Sequence, residues 1–297
     1  MLRIVVVVFL CVLVSACSRT QLAYRNADWL LEYYAGQTID ISAEQQEQWQ
    51  PLLSDTLQKH REIELAYLVA YLDMVNRAVT KEHGAVNSAC LVEGAVLVSR
   101  RHAQLAVDLA LPLLADMDQD QVEHLSEYSA EKQARLVERY QDPDSTRRKS
   151  ARRSRFNERV EKWIGKMDSG QQLLVDEALE RIPDITSYWL AYREQQTAGL
   201  LEMLEAGTDA EPLRQYLDHW WIDWDGRSAE YRQSWRVAKL EFAIFLNRLN
   251  ASLTPKQRKK MSKQLVDLRN DLTAFLPTES TPVAQSEMAS GCVDSPV

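Results

Sequence analysis

The stretch ISAEQQEQWQPLLSDTLQKHREIELAYLVAYLDMVNRAVTKE, residues 41–82, decides the fold. It opens on a helix-start signature. Ser42 stands before the first helical residue and Gln45 three positions later. In that arrangement the hydroxyl accepts a backbone N–H of the first turn and the amide reaches back to the cap's own N–H. From Ala43 apolar residues return at helical spacing through to Glu82, and Gly84 supplies the stop. A helix of about 40 residues is about 60 Å long at 1.5 Å per residue. It predicts an all-α, elongated multi-helix bundle with long capped helices.

The same signature recurs three times. After Ile41-Ser42-Ala43-Glu44-Gln45 come Met117-Asp118-Gln119-Asp120-Gln121, Met167-Asp168-Ser169-Gly170-Gln171 and Leu253-Thr254-Pro255-Lys256-Gln257. Each is an apolar residue, a Ser, Thr or Asp cap, two spacers and a glutamine. An apolar residue follows seven positions after each cap: Trp49, Leu125, Val175 and Met261. The irregular distance between copies argues against a solenoid of fixed period.

Helical periodicity covers the rest of the central chain. An aromatic-rich segment spans about 22–34, and further helices are expected at about 86–115, 119–141, 145–166, 169–181, 185–206, 210–222, 226–250 and 255–276. The break Gln141-Asp142-Pro143-Asp144-Ser145 divides an N-terminal half, 36–141, from a C-terminal half, 145–276. From 277 to 297 the chain is rich in Pro, Ser and Thr and reads as a disordered tail. Glycine and proline number nine each in 297 residues, about 6% together against a usual share of ~12%. That shortage argues against a turn-rich all-β fold and against a doubly wound α/β fold with glycine loops. A formal charge of -8 argues against nucleic-acid binding by the whole protein, though not against a local basic patch, and nucleic acid is not an expected partner in the periplasm.

Residues 1–16 read as a signal peptide. Arg3 is the positive n-region, Ile4 to Val14 an unbroken apolar run, and Ser15 and Ala16 lead into Cys17. The run is shorter than the ~20 residues a membrane-spanning helix needs. Val14-Ser15-Ala16-Cys17 resembles a bacterial lipobox. The resemblance implies cleavage before Cys17, a diacylglycerol on its thiol and an acyl chain such as palmitate on its amine, with residues 17–35 as the lipidated N-terminus. Ser18, where an aspartate would resemble an inner-membrane retention signal, points to the periplasmic face of the outer membrane. Loss of Arg3 takes the mature side-chain charge from -8 to -9. Cys90 and Cys292 then remain as thiols in an oxidising compartment. Cys90, inside an apolar run, is expected free and buried, with a Cys90–Cys292 disulfide as the alternative.

The four glutamine signatures are similar to those of small periplasmic helical chaperones of the envelope-stress type. A wider resemblance rests on Trp29-Leu30-Leu31, Asp40-Ile41-Ser42-Ala43-Glu44-Gln45, His60-Arg61-Glu62-Ile63-Glu64-Leu65, Glu161-Lys162-Trp163-Ile164-Gly165-Lys166-Met167 and Tyr188-Trp189-Leu190-Ala191-Tyr192-Arg193. In this order they resemble a family of proteobacterial lipoproteins classed as a domain of unknown function. Lys59 and Ala66 stand where that family often has Trp and Pro. The resemblance implies lipoprotein status and no particular activity.

Three groups of residues are candidates for chemistry or binding. His60, Arg61 and Glu64 form a polar site on the long helix, with His60 on the face of Leu53, Tyr67 and Tyr71. His60 and Glu64, spaced i and i+4, can meet as a proton-transfer pair, half a metal site or a packing pair. Arg147, Arg148, Lys149, Arg152, Arg153 and Arg155, with Arg159, form a basic patch for lipid headgroups, phosphates or an acidic partner, or a solvated helix face. Trp220, Trp221 and Trp224 crowd among Asp218, Asp223 and Asp225, either to stack on sugars or peptides or as core at a helix end. His83, His102, His124 and His219 are scattered without metal-ligand spacing, so no metal and no cofactor is expected. Nucleophile elbows, phosphate loops, His-Glu-x-x-His and Cys-x-x-Cys are all absent.

These readings converge on a lipid-anchored, non-enzymatic binding or chaperone-like module. It would hold the membrane through Cys17 and a protein client or envelope partner on its helices. The alternatives are a structural adaptor in an envelope complex and, third, an envelope-polymer hydrolase using His60 and Glu64.

Overall fold

A computed structural model describes residues 19–80 and 87–277, and among them all regular structure is helical. The expected signal peptide, Cys17, His83, Gly84, Cys292 and the tail from 278 lie outside the described residues. In chain order the helices are α1 Arg19–Arg25, α2 Ala27–Ile39, α3 Ala43–Lys59, α4 Leu65–Thr80, α5 Ser88–Ala115 and α6 Gln119–Tyr140. They continue with α7 Ser145–Ile164, α8 Ser169–Arg181, α9 Thr186–Glu205, α10 Ala210–Leu217, α11 Ala229–Ser252 and α12 Pro255–Thr273. Two π-helical segments interrupt the pattern. His60–Glu64 joins α3 to α4, and Asp218–Asp223 follows α10.

The four glutamine signatures begin α3, α6, α8 and α12, and each is a complete capping box. The structure adds what sequence could not supply: the boxes lock together in pairs. Gln45 and Gln121 exchange amide hydrogen bonds, at 3.0 Å from Gln45 Nε2 and 2.7 Å from Gln121 Nε2. Gln171 and Gln257 do the same at 2.9 and 2.8 Å. Each Nε2 also donates to the carbonyl two residues before the partner's cap. Gln45 donates to Asp116 and Gln121 to Asp40, both at 3.0 Å. Gln171 donates to Ser252 at 3.1 Å and Gln257 to Lys166 at 3.0 Å.

Every polar position of these amides is therefore occupied, which is what allows Gln171 to sit only 1% exposed. A typical hydrogen bond nets about 1 kcal/mol, but a buried amide stripped of its partner costs ~1–3 kcal/mol. The pairs thus fix which helix starts meet more firmly than a solitary cap would.

Two of the apolar cores draw on both halves of the chain. One contains Trp49, Leu53, Val107 and Leu125 together with Leu200, Leu213 and Leu217. A second joins Leu65, Val69 and Leu72 of α4 to Leu265 and Leu272 of α12. A third packs Ile164, Met167 and Val175 against Phe245 and Leu249 of α11. Helix α11 also lies along α5 and α8.

Two expectations change. Residues 43–80 run as one helical rod, but the π segment at 60–64 divides it. Cys90 is disulfide-bonded and half-buried instead of a free buried thiol. It is the sole cysteine among the described residues, so its partner lies outside them. An apolar helical run around a cysteine reports burial of the helix face and says nothing of a partner far along the chain.

Candidate functional site

The first π segment carries the expected polar site. In a π turn the backbone bond spans five residues, here from the Leu65 N–H to the His60 carbonyl, and the added residue widens the turn. Glu64 is thereby displaced from the position above His60 that an α-helix would give it. The two side chains share no hydrogen bond among those described. Glu64, 9% exposed, instead takes a two-pronged ion pair from Arg101 of α5, with Nε and Nη2 at 2.5 and 2.8 Å. The Arg101 guanidinium lies 3.8 Å from the Tyr67 ring centroid.

His60 bonds in two other directions. Its Nδ1 is 2.7 Å from the Tyr24 hydroxyl, and its Nε2 is 3.1 Å from His102 Nε2. His102 Nδ1 lies 2.7 Å from the Val98 carbonyl. That carbonyl can only accept, so neutral His102 carries its proton on Nδ1 and offers a lone pair at Nε2. His60 must then donate from Nε2 and accept at Nδ1 from Tyr24. The exposed Arg61 side chain lies near enough to Tyr24 for its charge to act on the hydroxyl. Burial, then the neighbouring His102, lowers the His60 pKa to about 4, while burial raises that of Tyr24. Tyr24 also packs on Phe275 at a ring distance of 4.5 Å, so this network ties α1, the α3–α4 junction, α5 and the end of α12.

The basic run of α7 is largely engaged within the fold. Arg147 forks onto Asp142 at 2.9 and 3.1 Å. Arg148 holds the carbonyls of Asp142 and Pro143, at 2.5 and 3.1 Å. Arg152 caps the end of α8 through the carbonyls of Leu179, Ile182 and Pro183. Arg153 pairs with Asp176 at 2.6 Å, and Arg155 lies over Tyr140. Lys149 is exposed.

The second π segment places the tryptophan cluster. Trp220, Trp221 and Trp224 are half-buried, and with Trp189, Tyr192, Tyr231 and Trp235 they line a recess of about 600 Å³. Trp220 and Trp221 are thus both the outer layer of the first core and part of the wall of an open pocket. Trp224 and Gly226 have left-handed backbones, φ 57° and 74°, and the Tyr192 hydroxyl holds the Asp225 carbonyl between them at 2.7 Å. This kinked connection turns Arg227 inward, 8% exposed, against Trp224, Tyr231 and Trp235. Nearby, His219, Asp223 and Asp225 bring donor atoms within 4.8 Å of one another, and all three are exposed.

A separate apolar cleft opens between α4, α7, α11 and α12. It encloses about 400 Å³ and continues into a recess of about 190 Å³ beside α5. Phe242, Leu246, Leu249, Met261, Tyr71 and Val75 line both parts. Arg159 is the one charged lining residue of the two.

Sequence reasoning missed Tyr24, Arg101 and His102 around His60, which only the tertiary fold assembles. It also missed Arg227, Tyr231 and Trp235, although Tyr231 and Trp235 stand i and i+4 and share a helix face. Residues 37–224 match the model of a family of unknown function, DUF6279, and the chain belongs to it. No curated protein and no solved structure matches the chain.

Proposed function

We propose that this member of the family is a lipid-anchored helical binding module of the periplasmic face of the outer membrane, which captures apolar segments of client proteins in a chaperone-like manner. The observation that carries the reading is the apolar cleft beside α11. Its floor is built from Phe245, Leu249 and Leu265, and its rim residue Phe242 is 38% exposed. A groove between amphipathic helices with almost no charge in its walls suits an apolar polypeptide stretch.

The anchoring part rests on the lipobox-like Val14-Ser15-Ala16-Cys17 and has two supports. Leu22, Trp29, Tyr33 and Tyr34 are exposed shortly after Cys17, and aromatic side chains with polar tips suit a membrane–water interface. The disulfide at Cys90 suits an oxidising compartment. Among the described residues no helix is long and apolar enough to cross a membrane. A hydrolase using His60 and Glu64 has less support, because both ring nitrogens and both carboxylate oxygens already have partners.

The test is aggregation of denatured clients in the presence of the mature chain. Suppression is expected near a one-to-one ratio and is weakened by Phe242→Glu, which sets a charge on the rim. No suppression across several unrelated clients contradicts the reading. For the anchor, Cys17→Ser is expected to release the protein from the membrane fraction.

A further inference from the structure

The tryptophan-lined recess shares no lining residue with the apolar cleft and has the opposite character. Its walls include Arg193 and Arg227 and no carboxylate, in a chain whose formal charge is -8. A third cation, Arg100 of α5, lies over the Trp224 ring at 5.2 Å. Cations gathered in the wall of a recess bias it toward an anionic ligand.

Arg227 is the telling residue. Its guanidinium carbon is 4.6 Å from the Trp224 ring centroid, 5.1 Å from that of Tyr231 and 5.5 Å from that of Trp235. Among the described residues no carboxylate comes within ion-pair distance of it, and no side-chain or backbone acceptor bonds its N–H groups. Burial lowers its pKa from the ordinary value, and the attraction of Asp225 is the smallest influence on it. Buried charges are ordinarily paired. Here aromatic faces cover the flat sides of the guanidinium, and none of its nitrogens is among the fully buried unpaired atoms, so its N–H edge opens onto the recess. That edge matches the paired oxygens of a carboxylate or phosphate. The tryptophans beside it offer flat apolar faces, and the recess volume falls within the ~300–1,000 Å³ of small-molecule sites.

We propose that the recess binds an oxyanion carried on a flat-faced ring, namely a pyranose bearing a carboxylate or a phosphate. Arg227, supported by Arg193, takes the oxyanion, and the tryptophans take the ring face. The left-handed Trp224 and Gly226 hold the arginine in place before the ligand arrives.

The test is calorimetry and tryptophan fluorescence on the mature chain with four probes: glucuronate, glucose 1-phosphate, glucose and inorganic phosphate. Saturable binding of at least one anionic sugar is expected, with glucose and inorganic phosphate each weaker by about tenfold or more. The two anionic sugars separate a carboxylate from a phosphate ligand. Arg227→Met is expected to lose about tenfold or more in affinity, and Arg193→Gln less. If Arg227→Met loses its helical circular dichroism, Arg227→Lys decides, because it keeps the charge without the planar fork. The proposal is overturned if neither anionic sugar saturates, if glucose or inorganic phosphate binds as tightly, or if a folded Arg227 variant keeps full affinity.

Discussion

The two π segments are built alike and used differently. Each widens one turn at a histidine, His60 in the first and His219 in the second, and each follows an α-helix without a break. In the first, every polar group that the turn brings inward finds a partner: Glu64 in Arg101, His60 in Tyr24 and His102. In the second, the turn ends in a left-handed Trp224, and the residue it delivers to the interior, Arg227, has aromatic neighbours and, among the described residues, no ion-paired carboxylate, with Asp225 acting on it only weakly. A satisfied polar cluster holds helices together. A cation held against aromatic rings with its N–H edge toward an open recess adds no such tie between helices and stays available to an anion. The same local device therefore serves cohesion at one place and recognition at the other.

The comparison can be broken most forcefully at Glu64. Glu64→Ala leaves the Arg101 guanidinium half-buried without its carboxylate and is expected to cost about 2–4 kcal/mol in denaturant unfolding. Replacing Arg101 by Met in the same chain should restore part of that loss, because the stranded charge goes too. A cost below about 0.5 kcal/mol would place the pair with surface ion pairs of little consequence.

A smaller effect is expected from pH. The folded His60 pKa is lowered to about 4, below the unfolded value near 6.5. Protons therefore bind the unfolded chain first. The stability that neutral His60 contributes is complete above pH 6.5, declines as pH falls and is lost by about pH 4. After allowance for partial exposure this is on the order of 1–2 kcal/mol. Unfolding at pH 7 and pH 5 should differ less in His60→Asn than in the parent chain. An equal difference in both would remove His60 from the account.

The helix starts were legible because capping is local. Ser42, Asp118, Asp168 and Thr254, each with its glutamine three residues on, needed nothing but their own neighbours. That Gln45 would find Gln121 and Gln171 would find Gln257 was not legible, since pairing depends on chain paths of 76 and 86 residues. His60 was legible as inward-facing and Glu64 as its neighbour at the flank of that face, and their partners were not. A helical projection assumes an α-helix, and a single π turn is enough to send Glu64 to Arg101. The tryptophans at 220, 221 and 224 were visible as a cluster. What makes them a pocket, Arg227 and the face of Tyr231 and Trp235, lies past a kink that periodicity cannot follow. Arg152 and Arg153, read as part of a patch for a partner, spend their charge on α8.

The smallest expected shift in stability is the most telling. Thermal unfolding of Arg227→Met, run beside Glu64→Ala and the parent chain, asks whether the two π segments differ as described. Removing a buried cation without a counter-ion is expected to leave the midpoint unchanged or to raise it slightly, by the equivalent of up to about 1 kcal/mol, while Glu64→Ala lowers it clearly. If Arg227→Met lowers the midpoint as far as Glu64→Ala does, Arg227 is a structural residue and the contrast between the two segments fails.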